Sequence, residues 1–267
     1  MPIAGKAGGL DDQTVQPQTE GLDVSREPSS TRRRGVRFWL RRLVVVAVVI
    51  ALIPAGLTLL YIPSFVHPIS TLMLADLVAM RGYDRRWVPL DDVAPVLVHS
   101  VIMSEDGQFC RHRGIDLGEL KGVVEDMMAG EATRGASTIT QQVAKNLFLW
   151  PGRSVIRKGL EIPLAMWLEV VLPKARIMEL YVNIAEWGPS GQFGAEAGAK
   201  AAFGRPASGL SPQEAALLTA MLPNPVVRSA KKPSRGVRRR AGIYVARARA
   251  TAGLADCVAT MRPARFP

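Results

Sequence analysis

The sequence predicts an all-α domain carried behind a single membrane-spanning helix. Three observations lead there. Residues 43–61 form one uncharged apolar run, LVVVAVVIALIPAGLTLLY. The segments after it repeat their apolar residues at helical spacing and carry recognisable helix starts. Alternation of the kind that marks strands is scarce.

The apolar run comes first. At about 1.5 Å per residue it spans a hydrocarbon core of roughly 30 Å. It is longer than the core of a cleaved signal peptide, so an uncleaved signal anchor is expected. Pro54 and Gly56 are tolerated in a membrane helix. Arg32, Arg33, Arg34, Arg37, Arg41 and Arg42 crowd its N-terminal flank, whereas 62–80 carries no Lys or Arg. The positive-inside rule then puts the N-terminus in the cytoplasm and the bulk of the chain outside. Residues 1–34, rich in Gly, Gln, Ser, Pro and charge, read as a disordered cytoplasmic tail. The anchor is set at 35–62, the folded domain at 63–250 and a basic C-terminal tail at 251–267.

Helix signals follow in order along the outer region. Pro95 to Glu105 is apolar, has proline in its first turn and stops at Gly107. Asp116 caps a helix running to about Ala129, with Glu119 at its acidic third position. The segment 130–135 reads as a glycine-flanked loop. Helices are expected from Thr138 to Phe148, from Ser154 to Val171 and from Lys174 to Trp187, each stopped by Pro or Gly. A Gly-rich stretch covers 191–198. Ser211-Pro212-Gln213-Glu214 is a capping box that opens a helix ending at Pro223.

Composition narrows the function classes. The net charge is +11, and the excess gathers at Arg228, Lys231, Lys232, Arg235, Arg238, Arg239, Arg240, Arg247, Arg249, Arg262 and Arg265. Outside a membrane such a run fits lipid headgroups or an anionic polymer, and nucleic acid is not expected as a partner. Three His and two Cys show no ligand spacing, so no metal site is expected. Cys110 and Cys257 lie far apart, and both are expected to be free.

The chemistry concentrates in three places. Glu105 ends an apolar helix, where desolvation raises a carboxylate into the range of proton transfer at neutral pH. On the helix from Thr138, residues Thr138, Gln141, Gln142 and Lys145 share one face, which offers amides, a hydroxyl and a cation. An ordinary amphipathic helix would show a Glu/Lys mixture there. Amides suit a sugar, and Lys145 suits a phosphate. Gly135-Ala136-Ser137 leaves backbone N–H groups at a helix start, a natural anion site. Arg157, Lys158 and Glu161 can share one side of the next helix, either as a surface ion pair or as part of a site. Glu179, Tyr181, Asn183 and Glu186 are read as structural polar groups, and His112 as a residue that fixes a loop. Two separated carboxylates, a cation cluster and an amide-rich helix suggest an enzyme that handles a phosphate-bearing sugar.

These segments, in this order, resemble the signature blocks of the peptidoglycan glycosyltransferases (glycosyltransferase family 51), with the monofunctional biosynthetic transglycosylases the nearest type. The blocks are Glu105-Asp106-x-x-Phe109-x-x-His112-x-Gly114-x-Asp116, then Gly135 to Gln142 with Lys145-Asn146, then Arg157-Lys158-x-x-Glu161, and then Arg176 to Gly188. A further region runs from Gly194 to Pro225. Cys110, and Phe203 where a Tyr-Phe pair is common, depart from the pattern. No penicillin-binding serine motif follows.

The resemblance implies a lysozyme-like lobe with a small membrane-proximal jaw. It also implies polymerisation of lipid II into β-1,4-linked glycan with release of undecaprenyl diphosphate. By the same resemblance Glu105 is the general base and Glu161 the second glutamate, positioning cations or assisting the leaving group. Ser137, Gln142, Lys145, Asn146, Arg157 and Lys158 bind substrate. No cofactor is required, although a divalent cation could help neutralise the diphosphate. The implied partners are lipid II, the growing strand, membrane lipids and other wall-synthesis and division proteins. The implied location is the bacterial inner membrane, with the catalytic domain periplasmic. The competing readings are a lytic wall glycosidase of the same fold, for which a cation cluster has no task, and a membrane-anchored scaffold.

Overall fold

The computed structural model describes residues 30–129, 135, 137–152, 154–250, 253 and 255–259. Of the N-terminal tail expected over 1–34, residues 1–29 lie outside these residues, whereas 30–34 open the first helix; the loop over 130–134 and the tail from 260 onward also lie outside them. The chain divides into two units that meet at Val48 and Val49, inside the first helix.

That helix, α1 (Ser30–Leu60), begins ahead of the apolar run. Its segment Gly35–Leu60 is long and apolar enough to cross a membrane. Leu43 to Ile53 are largely exposed, as expected of a surface that water does not contact. In its last turn Thr58 is buried and donates to the Pro54 carbonyl at 2.7 Å. Just beyond, Tyr61 stacks on Phe148.

The second unit is mostly helical, as predicted. It runs α2 (Thr71–Val78), β1 (Asp84–Arg85), α3 (Pro95–Glu105), α4 (Leu117–Met128), α5 (Ile139–Phe148), α6 (Val155–Val171) and α7 (Lys174–Ile184). It continues with β2 (Glu186–Gly188), β3 (Gln192–Phe193), α8 (Ala195–Phe203), α9 (Pro212–Thr219), α10 (Arg235–Ala250) and α11 (Asp256–Ala259). The strands form one small sheet in the order β1-β3-β2, with β1 parallel and β2 antiparallel to β3.

Local chemistry sets most helix starts. Thr138 and Gln141 form a capping box on α5, and Ser211 and Glu214 form one on α9. Ser154 accepts from Arg157 N at the start of α6. Asp116 Oδ1 accepts from Gly118 N and Glu119 N ahead of α4. Such caps satisfy donors that a helix start leaves unpaired.

The core forms around α7, in which every residue from Arg176 to Ile184 is buried. A helix apolar on all sides belongs in the interior, and its polar residues are paired there. Arg176 binds Glu179 and donates to the carbonyls of Tyr61, Pro63 and Val66. Asn183 clamps Val88 through both N–H and C=O, at 2.9 and 2.8 Å. The structural reading of Glu179 and Asn183 holds.

Three expectations are corrected. The helix expected to reach Trp187 stops at Ile184, because Glu186–Gly188 pairs with β3 and the Trp187 indole folds back onto the Val182 carbonyl. The Gly-rich stretch 191–198, for which no element was expected, is partly helical. Gly194, at φ 87°, leads into α8, and a Cβ on Gly198 would meet Trp187 Cβ at 2.5 Å. That glycine permits close packing. Finally, Cys110 and Cys257 are joined in a disulfide, although both were expected to be free. The fold lays α11 against α7 and brings together two residues 147 positions apart, a proximity that spacing does not encode. Ala255 and Val258 are buried in the same core, so the expected tail is packed over 255–259.

Candidate active site

Glu105 is the last residue of α3, and Asp106 is its C-cap. The C-terminal end of a helix carries partial negative charge, which disfavours a second negative group. Burial pushes the Glu105 carboxyl up. Hydrogen bonds from Gln142 and Ser104, and the charges of Lys145 and Arg228, pull it partway back.

Asp106 fixes the position of its neighbour. Its Oδ2 accepts from Ile139 N at 2.9 Å, and both its oxygens lie within 3.0 Å of His112 Nε2. His112 therefore fixes the loop, as predicted. At the start of α5 the Ile139 N–H is thus taken by the chain's own Asp106, while Ala136, within the anion site expected over 135–137, lies outside the described residues. Thr138 completes the joint by donating to the Gly114 carbonyl at 2.7 Å. Gly114 sits at φ 87°, and a Cβ there would lie 2.8 Å from the Ala165 carbonyl oxygen. Only glycine lets this loop touch α6 so closely.

One turn into α5, Gln142 Nε2 donates to Glu105 Oε2 at 3.1 Å. Lys145 follows on the same face. Burial lowers its pKa, Glu161 and Glu105 raise it, and Arg157 and Lys158 lower it further. On α6, Glu161 is buried and accepts from Arg157 Nη1 and from Lys158 Nζ, the latter at 2.8 Å. Lys158 Nζ also donates to Ser137 Oγ. Among the described residues, Arg157 Nε is buried with no hydrogen-bond partner.

The fold thus gathers Glu105, Gln142, Lys145, Arg157, Lys158, Glu161 and Ser137. Asn146, next to Lys145, is buried, and its backbone carbonyl accepts from Thr71 Oγ1 at 3.3 Å. The Gln141 side chain is engaged in the helix cap, where it accepts from Thr138 N.

Sequence reasoning missed the other wall. Helix α10 packs on α3 and α9, and Tyr244 and Arg228 lie close enough to Glu105 for charge to be felt. Arg247 joins Ser104, Glu105, Gln108, Asp116 and Ser137 around a cavity of about 410 Å³. In the sequence Arg228 and Arg247 are two of many basic residues in an arginine-rich stretch, with nothing local to set them apart. Among the described residues, no three His, Cys, Asp or Glu side chains are gathered to hold a metal ion.

A family model described as Transglycosylase matches residues 73–249, which include every residue of this cleft. The chain belongs to the transglycosylase family. A protein of Mesorhizobium japonicum called "Biosynthetic peptidoglycan transglycosylase" is 61% identical over 228 residues, 85% of this chain and 96% of the relative. Proteins of the same description from Rhizobium meliloti and Rhizobium johnstonii are 54% and 53% identical over 226 and 219 residues. Those two alignments take in 85% and 82% of this chain, and 95% and 89% of the relatives.

Proposed function

We propose that this transglycosylase polymerises lipid II into β-1,4-linked glycan by an inverting displacement, with Glu105 as general base. One observation carries the reading. A partly buried carboxylate with a raised pKa, oriented by an amide, stands beside a cation cluster in which a buried guanidinium nitrogen, Arg157 Nε, has no acceptor among the described residues. A buried donor without a partner is costly, and a phosphate oxygen would satisfy it.

The acceptor's GlcNAc 4-hydroxyl gives its proton to Glu105 as its oxygen bonds to C1 of the donor MurNAc. The C1–O bond to the diphosphate breaks, and undecaprenyl diphosphate leaves with the bonding electrons. Attack opposite the leaving group inverts the anomeric centre, so no covalent sugar–enzyme species is needed. Lys145, Arg157 and Lys158 stabilise the charge that develops on the diphosphate. Glu161 holds Arg157 and Lys158 in place, which suits a positioning role better than proton transfer. Ser137, held by Lys158, lies at the edge of the same cation group.

The arginine flank of α1 supports an N-terminus in the cytoplasm and a catalytic unit on the far side of the inner membrane. The deciding experiment offers purified protein labelled lipid II and, separately, finished glycan. Polymer from lipid II that Glu105→Gln fails to make supports the reading. Fragments released from finished glycan would make it a lytic enzyme.

A further inference from the structure

Tyr181 lies within α7, the most buried helix, and is 1% exposed. A buried hydroxyl without a partner destabilises a core, and phenylalanine would fill the same volume without that penalty. Among the described residues the recorded acceptor for the Tyr181 hydroxyl is Gln142 Oε1, at 3.4 Å. The other end of that amide, Nε2, donates to Glu105 Oε2 at 3.1 Å.

The two contacts are coupled, because an amide presents its oxygen one way and its NH2 the other. With Oε1 turned towards Tyr181, the group facing Glu105 can only donate. A donor supports a carboxylate and gives nothing to the proton of a carboxylic acid. If the amide were reversed, its oxygen would face Glu105 and favour the protonated form. In the observed orientation the tyrosine hydroxyl donates to Oε1 and polarises the amide, which strengthens its NH2 as a donor to an ionised Glu105 against its burial.

We propose that Tyr181 is a positioning residue for Glu105, acting through the side-chain amide of Gln142 to hold the base in its proton-accepting form. The inference rests on the reading of Glu105 as general base and adds a residue that touches neither sugar nor diphosphate. Other charged and titratable groups also face Glu105. Lys145 comes from α5, Arg228 lies between α9 and α10, and Tyr244 and Arg247 come from α10. Asp116 and Glu119 line the cavity from the α4 side, and Asp106 adjoins Glu105 in sequence. None of them touches the Gln142 amide in a recorded hydrogen bond, so the tyrosine substitution leaves them in place.

The test measures pH–rate profiles for polymerisation of labelled lipid II by the full chain in detergent, with wild type, Tyr181→Phe and Gln142→Leu. Tyr181→Phe should move the acid limb about 0.5–1 pH unit upward, about a three- to tenfold loss of kcat at a fixed pH on that limb. Activity should recover at higher pH, and KM should stay unchanged. Gln142→Leu should move the limb at least as far. Titration of 13C-labelled glutamate carboxyls by NMR should show the Glu105 resonance moving in the same direction in both variants. A uniform loss of kcat at every pH, or a limb that stays in place, would reduce Tyr181 to a packing residue. Should Tyr181→Phe fail to fold, Gln142→Leu decides alone, and an unmoved limb there overturns the proposal. Retained polymerisation by Glu105→Gln would instead remove the base assignment, and the inference with it. An inactive Glu105→Gln beside an unmoved Tyr181→Phe limb would remove the inference only.

Discussion

The Cys110–Cys257 bridge closes a loop of 147 residues and reaches into the segment between Asp106 and His112. Replacing both cysteines by serine frees the unfolded chain of that constraint while leaving every other contact of the site intact. In the chain-entropy treatment, loop closure contributes about 2.1 + 1.5R ln 147 ≈ 17 cal/mol/K, or about 5 kcal/mol at 298 K. Measured values fall below this ceiling when the native state is strained, so the expected loss is about 2–5 kcal/mol. For a folded unit of this size, each kcal/mol displaces the melting point by about 2–4 °C.

The assay is thermal unfolding in detergent, comparing oxidised wild type, reduced wild type and the double serine variant. Reduced wild type and the variant should coincide, roughly 4–20 °C below the oxidised protein. Turnover below the melting transition should survive, because Asp106 and His112 hold the Glu105 loop independently of the bridge. Melting points within about 1 °C of each other would refute the reasoning. So would reduced wild type melting well above the variant, since the effect would then come from the serine hydroxyls.

Other perturbations test the site directly. Glu105→Gln should lose turnover by about 10²–10⁴-fold in the lipid II assay. Its stability should move the opposite way. The folded-state pKa of Glu105 is raised, so wild-type stability is fully present below the unfolded-state value and falls as pH rises towards the folded one. The variant lacks that slope and should unfold at equal or higher urea concentration at neutral pH. Glu161→Gln removes the charge that holds up the pKa of Lys145, so the basic limb of the pH–rate profile should move to lower pH. An unmoved limb would mean that Lys145 does not act as a cation in turnover. Gly114→Ala forces a side chain into left-handed backbone against α6, costing at least about 1–2 kcal/mol. Urea unfolding should show that loss, and lipid II turnover should fall because the Thr138–Gly114 joint opens.

Much of this protein was legible in its residues because the deciding interactions are local. The caps at Asp116, Thr138, Ser154 and Ser211 act across two or three positions, so their sequence patterns already contain their geometry. The uncharged run at 43–61 needs no partner to be read as a span. Arg157, Lys158 and Glu161 meet within a single helix turn. Contacts between distant segments were another matter. The sequence placed Gln142 on a polar helix face, but only folding set it against Glu105, 37 positions away. Asp106 takes the Ile139 N–H at the start of α5, 33 positions away. Gly198 serves close packing against Trp187, which the glycine content of its stretch does not reveal.

The sequence by itself determined the helical class, the apolar run at 43–61 and the local charge clusters, since period, cap and charge are properties of neighbours along the chain. Only the tertiary structure decided which amide orients the base, which cysteines pair and which arginines reach the cleft. Those outcomes depend on how α3, α5, α7, α10 and α11 pack across long sequence separations, and neither spacing nor composition records that packing.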